Sequence, residues 1–198
     1  EPDLKTEVFG TKMDMPIFLS PTAMQSLYHP DGDKASARAA EKFGTIYSMS
    51  TMASFSIEEI SNLSSGPKIF QLYIHKDQSI TNDLIDRCKR ANFNGMCITV
   101  DTIVAGNRER DHRTGFTTPP KFTLDSLMSF AMRPQWVFNY FTNKKFELAN
   151  LKDKVEKGTN IAQSVMGYIN EQYDPAMNWK DAEYCIKKWN CLLYTSDA

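Results

Sequence analysis

The sequence predicts an α/β protein built on a parallel sheet, and three observations carry that prediction. Short apolar segments of strand length alternate with segments of helical periodicity, cap and turn residues mark the joints, and polar residues gather at the C-terminal ends of the apolar segments. Strands that alternate with helices are joined by right-handed crossovers, which restricts the fold to doubly wound or barrel.

Four segments carry strand character: Pro16 to Ser20, Thr45 to Ser50, Lys68 to Ile74, and Gly95 to Asp101. Between them lie helix-like stretches. Asp33 to Phe43 is rich in alanine; Ser56 to Leu63 opens with Ser56-Ile-Glu-Glu59, a capping-box spacing; and in Ser79 to Asn92 the apolar Ile80, Leu84, Ile85 and Cys88 recur at helical spacing. After Asp101 the regularity stops for roughly 75 residues, far beyond an ordinary strand-to-helix connection. Within that excursion GNRERDHRTG and FTTPPKF read as loop, Leu124 to Phe141 as one or two helical pieces broken at Arg133-Pro134, and Gly158 to Tyr173 as a further helix. Trp179 to Trp189 restores a clear helical pattern. A long excursion of this kind on the site-bearing side of a sheet is usually functional, as a lid or docking surface.

Composition bounds the chemistry. With 198 residues, 41% of them hydrophobic and 12% aromatic, the chain can bury a sizeable core. Lys and Arg number 23 against 24 Asp and Glu, so no strong field draws it to nucleic acid, and small-molecule chemistry is expected instead. Cys88, Cys97, Cys185 and Cys191 have no C-x-x-C spacing and read as reduced thiols in a cytoplasmic setting. No apolar run reaches the roughly 18 residues of a membrane-spanning helix, and the N-terminus has neither signal-peptide order nor an initiator Met, so the chain is expected to start inside a longer protein.

Alternation within the strands is informative. Ser48 and Ser50 share a face, as do Gln71 and Tyr73, and Thr99 and Asp101, while Met49, Phe70, Leu72, Ile98 and Val100 point the other way. In an antiparallel sheet that would be a solvated face. In a parallel sheet covered by helices, polar residues at successive C-terminal strand ends mark a site. Nucleotide-binding glycine motifs, the H-E-x-x-H zinc motif and the G-x-S-x-G elbow are all missing, and His29, His75 and His112 lack metal-ligand spacing, so no metal site is expected.

In order and spacing, Pro16-Ile-Phe-Leu-Ser-Pro-Thr-Ala-Met24, Met49-Ser-Thr51, Phe70-Gln-Leu-Tyr73, Thr99-Val-Asp101 and Gly106-Asn-Arg-Glu-Arg-Asp111 resemble the FMN-dependent α-hydroxy-acid dehydrogenase and oxidase family. Met132-Arg-Pro-Gln-Trp136 and Tyr173-Asp-Pro-Ala-Met-Asn-Trp-Lys-Asp181 resemble its L-lactate dehydrogenase branch more than the glycolate oxidase branch. The resemblance implies a (β/α)₈ TIM barrel, of which this chain holds about the first four β/α units and a long insertion after the fourth strand. Residues 1–190 would be the N-terminal part of one barrel domain. Residues 191–198 would be a tail outside the family pattern.

The same resemblance implies roles for individual positions. Pro21, Thr22 and Ala23 would lay backbone against FMN, although Ser-Pro-Thr is also ordinary turn chemistry. Ser50 and Gln71 would hydrogen-bond the polar edge of the flavin, with Thr99 beside the ring, unless they are simply satisfied interior polar groups. Tyr73 and Arg108 would face the substrate, the guanidinium gripping its carboxylate in bidentate fashion. Arg110 and Arg113 stand close enough in sequence to be confused with Arg108, in a loop whose mixed charge also suits plain solvation. Asp101 would orient its neighbours. Met52 occupies a substrate-dependent position, and a flexible thioether there suits a short aliphatic hydroxy acid such as lactate, or else fills a gap behind the strand.

The implied reaction is oxidation of an L-2-hydroxy acid to the 2-oxo acid, with electrons passing to a quinone, a cytochrome or oxygen. The family's catalytic histidine, its lysine at the fifth strand and a second arginine have no counterpart in this sequence, so the chain alone is expected to be inactive and its parent to be a homo-oligomer, a tetramer. A reading of another class treats the aromatic segment 130–141, with Trp136, Phe138, Tyr140 and Phe141, as a membrane-docking or oligomerisation module, which would hold the protein peripherally on the inner face of the cell membrane.

Overall fold

Four parallel strands, β3 (Tyr47–Ser50), β4 (Lys68–Leu72), β5 (Gly95–Thr99) and β6 (Leu193–Ser196), in that order form the centre of the computed structural model, which describes residues 2–8, 10–100, 109–114, 124–143, 147–152, 172–174, 176–190 and 193–196. A two-stranded hairpin, β1 (Thr6–Val8) and β2 (Thr11–Met13), precedes them, turning through Gly10 at φ +68°. The expected strand at Pro16 to Ser20 contracts to one parallel bridge between Leu19 and Tyr47. Its two hydrogen bonds are Leu19 N–H to the Ile46 carbonyl and Ser48 N–H to the Leu19 carbonyl, both 3.1 Å. Pro16 and Pro21 flank this segment, and a residue without an N–H cannot extend the ladder.

Each step along the sheet passes through a helix. A 3₁₀ turn at Gln25–Leu27 and α1 (Gly32–Lys42) lead into β3 (Tyr47–Ser50); α2 (Ile57–Leu63) joins β3 to β4 (Lys68–Leu72); α3 (Gln78–Arg90) joins β4 to β5 (Gly95–Thr99). The helices begin where the side chains can satisfy their free amides. Ser56 accepts from Glu59 N–H while Glu59 accepts from Ser56 N–H, completing the expected capping box, and Asp77 accepts from Ser79 N–H at the head of α3.

The excursion after β5 contains three further helices among its described residues: α4 (Glu109–Thr114), α5 (Leu124–Ala131) and α6 (Pro134–Thr142). The break at Arg133-Pro134 falls where the sequence places it, with proline at the first helical position. Glu109 to Thr114, expected as loop, is helical, and Glu109 and Arg113, one turn apart on it, pair at 3.3 Å. The segment FTTPPKF and most of the helix expected over 158–173 lie outside the described residues.

α7 (Trp179–Trp189) returns the chain to the sheet, capped by Asn178 and buried along Ala182, Cys185 and Trp189. It closes in left-handed geometry at Asn190, φ 51°. β6 (Leu193–Ser196) then pairs in parallel with β5, Met96 opposite Leu193 and Thr99 opposite Ser196. These residues were expected to stand outside the family pattern. Main-chain pairing needs no particular side chains, and the open edge of β5 accepts an extended segment.

The two faces of the sheet differ in kind. Tyr47, Met49, Phe70, Leu72, Met96 and Ile98 pack with the helices in the main core. On the opposite face Ile46 and Ile69 join Met13, with Val8 and Cys97 against them, so the hairpin seals the N-terminal end of that inner face. Beyond these apolar residues, toward the C-terminal strand ends, the same face carries Ser48, Ser50, Gln71 and Thr99.

Candidate active site

Three neighbouring strands place Ser50, Gln71 and Thr99 on the inner face at one level, with exposures of 2, 4 and 4%. The Ser50 hydroxyl donates to Gln71 Oε1 at 3.1 Å, and Gln71 Nε2 donates to Thr99 Oγ1 at 2.8 Å. Parallel register explains the contact, since Ser50 stands opposite Gln71, and Gln71 opposite Cys97, two residues before Thr99. The strand ends are tied together at the same height. Thr51 donates to the Gln71 carbonyl through both N–H (3.0 Å) and hydroxyl (2.7 Å), and Tyr73 N–H donates back to Thr51 Oγ1 at 3.2 Å.

This chain of polar groups has capacity to spare. Gln71 Nε2 has a second hydrogen, the Thr99 hydroxyl has a proton to give, and each oxygen has a further lone pair. One step deeper, the Ser48 hydroxyl is buried without a hydrogen-bond partner among the described residues. A buried group presenting both donors and acceptors suits the alternating donors and acceptors of a uracil-like ring edge, so the residues present fit a flavin.

The loop expected to lie along such a ring is also in place. Pro21 and Thr22 are exposed and Ala23 is half-buried against the core, leaving their main chain accessible. Met24 follows in left-handed geometry, φ 56°, with its N–H donating to the Met52 carbonyl at 3.0 Å. A non-glycine residue in that region carries strain and is over-determined by its surroundings. Met52 donates through its N–H to Ser50 Oγ at 3.1 Å, and its side chain is buried in the main core.

Tyr73 is half-buried just past the end of β4. Its ring lies 4.6 Å from that of Tyr173 at an interplanar angle of 31°, although 100 positions of sequence separate the two. His75 pairs with Tyr173 in an antiparallel bridge and is fully buried, which pushes its imidazole down to about 4. Neither Tyr173 nor His75 is marked by sequence spacing, because the excursion separates them and only its re-entry unites them.

Arg108, Asp101, Gly106 and Asn107 lie outside the described residues. Of the arginines near it in sequence, Arg110 and Arg113 are exposed on α4, and Arg113 is engaged by Glu109 of its own helix. Trp136 is an anchor more than a surface aromatic. Its indole N–H donates to the Leu27 carbonyl at 3.0 Å, and its ring stacks between Phe130 (5.5 Å) and Tyr140 (5.3 Å), tying α6 to the turn after the Pro21–Ala23 loop.

Compared with known proteins, residues 1–194 match the FMN-dependent dehydrogenase family. This chain belongs to that family. Its cofactor is accordingly FMN, and its sheet is part of a (β/α)₈ barrel. Family relatives include glycolate oxidase 1 of Zea mays and glycolate oxidase of Spinacia oleracea, each 36% identical over 182 residues that make up 92% of this chain and 43% of the relative. The monotopic membrane protein (S)-mandelate dehydrogenase superimposes with a TM-score of 0.89 at 26% identity, over 99% of this chain and 52% of that one. Pediococcus acidilactici lactate oxidase gives 0.71 at 26% identity, over 100% of this chain and 45% of the other. The chain thus spans about half the length of the relatives it matches.

Proposed function

We propose that this chain is the front part, over residues 1–190, of an enzyme that oxidises an L-2-hydroxy acid, L-lactate before others, to the 2-oxo acid. The observation that carries the reading is the buried Ser50–Gln71–Thr99 chain at the C-terminal strand ends, beside Tyr73. FMN when bound supplies the two-electron redox chemistry. Gln71 and Ser50 hold the polar edge of its ring system, Thr99 lies beside it, and Pro21, Thr22 and Ala23 present main-chain groups to it. The Tyr73 hydroxyl hydrogen-bonds substrate, and Arg108 clamps the carboxylate. Met52 meets the site through its N–H on Ser50 Oγ while its side chain packs in the main core, so it would bear on substrate choice from behind the strand. The electron acceptor is a quinone, a cytochrome or oxygen, and the parent is a cytoplasmic homo-oligomer, a tetramer.

The test is anaerobic flavin bleaching in the full-length protein with L-lactate, glycolate and (S)-mandelate in parallel. Bleaching by L-lactate at the highest kcat/KM is expected. Faster bleaching by glycolate or mandelate would reassign the substrate, and no bleaching by any of the three would refute the reading.

A second reading concerns α5 and α6. Leu124, Leu127, Met128, Met132, Phe138 and Phe141 are all exposed, the last two at 67 and 78%, a concentration that normally marks a contact surface. No described helix is long and apolar enough to cross a membrane. A protein with the same fold, the (S)-mandelate dehydrogenase above, is monotopic. We propose that this face rests on the inner surface of the cell membrane. Vesicle co-sedimentation of the full-length protein should fall at least about tenfold in Phe138→Ser/Phe141→Ser. Unchanged sedimentation together with dissociation of the oligomer would make the face a subunit contact instead.

A further inference from the structure

We infer that Tyr173 is the positioning residue for Tyr73, setting from across the long excursion where the Tyr73 hydroxyl points; this rests on the proposed role of Tyr73 at the substrate. The end of the excursion is fastened to the segment after β4 by main-chain bonds. Lys76 N–H donates to the Gln172 carbonyl at 2.8 Å, and His75 and Tyr173 form a bridge. His75 is itself held from below by Thr81, whose hydroxyl accepts from His75 N–H at 3.0 Å. The Tyr173 and His75 rings meet edge to face at 5.6 Å and 77°, and the Tyr173 ring lies tilted over Tyr73 at 4.6 Å.

The place of Tyr173 is therefore set by backbone pairing, and its ring is left to pack on Tyr73. Tyr73 is fixed differently. Its N–H is held by Thr51, which locates the Cα, and its side chain packs against the main core, of which Tyr173 is part. The aromatic surface of Tyr173 restricts the ring torsions, since offset rings 4.5–7 Å apart attract. The lever is long. A swing of the Tyr73 ring by about 10° moves its hydroxyl by roughly 1 Å, a misplacement of the size that lowers rates about a hundredfold.

Two kinds of readout separate positioning from mere packing. In full-length protein labelled with 3-fluorotyrosine, and with the Tyr73 resonance assigned through Tyr73→Phe, Tyr173→Phe should leave that resonance in place. Tyr173→Leu and Tyr173→Met should shift and broaden it. With L-lactate, Tyr173→Leu should lower kcat/KM about ten- to a hundredfold at unchanged FMN content, chiefly through kcat. In a Tyr73→Phe background the same substitution should change it less than about twofold, because the path runs through the Tyr73 hydroxyl.

An unshifted Tyr73 resonance in the folded Leu or Met variant would overturn the inference, as would fully additive kinetic effects. A crystal structure of the full-length protein with the two rings more than about 7 Å apart would overturn it without any variant. If the unsubstituted protein oxidises no 2-hydroxy acid, the proposed function fails on its own and the fluorine spectrum still decides the positioning.

Discussion

Replacing Gln71 with Met keeps the length of the side chain and deletes both ends of its hydrogen-bonding chain. Two buried bonds are lost, one from Ser50 at 3.1 Å and one to Thr99 at 2.8 Å, each worth about 1 kcal/mol net. The Ser50 oxygen still accepts from Met52 N–H, so its hydroxyl loses only the acceptor for its proton. Burying a thioether in place of an amide returns roughly 1 kcal/mol, leaving a destabilisation of about 1 kcal/mol. FMN feels a larger change if Gln71 meets its polar edge. Two further bonds disappear and the flavin atoms opposite are left unsatisfied, for about 3 kcal/mol, or a rise in Kd of roughly a hundredfold. Fluorescence titration of FMN into the apo full-length protein measures the second effect, and urea unfolding of the same sample the first. A Kd within about threefold of the unsubstituted value, with the unfolding midpoint shifted as expected, would show that the chain only braces the sheet and that the site assignment is wrong.

Two other perturbations have signs set by the structure. Burial holds His75 near 4 in the folded protein against 6.5 when unfolded, so below pH 6.5 the unfolded chain takes up the proton first. Its neutral burial is then fully tolerated above pH 6.5, and stability is lost as pH falls from 6.5 toward 4, by up to about 3 kcal/mol. His75→Phe should flatten the pH dependence of the urea midpoint in that window, and an unchanged slope would refute the assignment. Glu58, held at about 2 by Arg87, loses its contribution at lower pH, below its usual 4.5, and does not mask the effect. Asn150 fastens the excursion to the helices: Oδ1 accepts from Ile57 N–H at 3.0 Å and Arg87 Nη2 at 3.2 Å, and its carbonyl accepts from Arg87 Nη1 at 3.2 Å. Asn150→Ala strips the acceptor from the first turn of α2 and should cost about 1–2 kcal/mol in urea unfolding. Asn150→Asp keeps the acceptor, removes an amide nitrogen that has no partner among the described residues, and should be neutral or stabilising; equal losses in both variants would rule the network out.

Local chemistry was legible throughout the regular part of the chain. Ser56 and Glu59 announce a capping box because both partners lie within one turn, Pro134 marks the start of α6 because it cannot continue α5, and the apolar spacing from Trp179 to Trp189 gives the bounds of α7. Where local cues were weak, expectation and structure diverge. The strand at Pro16 to Ser20 reduces to a bridge at Leu19, and Glu109 to Thr114 winds into α4, with Glu109 and Arg113 paired one turn apart. The hairpin at Thr6–Met13 has a weak signal in the sequence, Gly10 between two alternating triplets.

The sequence by itself determined which residues share the polar face, because a strand alternates its side chains with a period of two whatever surrounds it. It therefore brought Ser50, Gln71 and Thr99 to one side of one sheet. Only the tertiary structure decided that they bond to one another, since that depends on the parallel register between strands, and that the same face is sealed below by Met13. It also decided that Trp136 turns inward to Leu27 and that Tyr173 lies on Tyr73. Those contacts join residues about a hundred positions apart, and no periodicity in a chain encodes where a long excursion comes back.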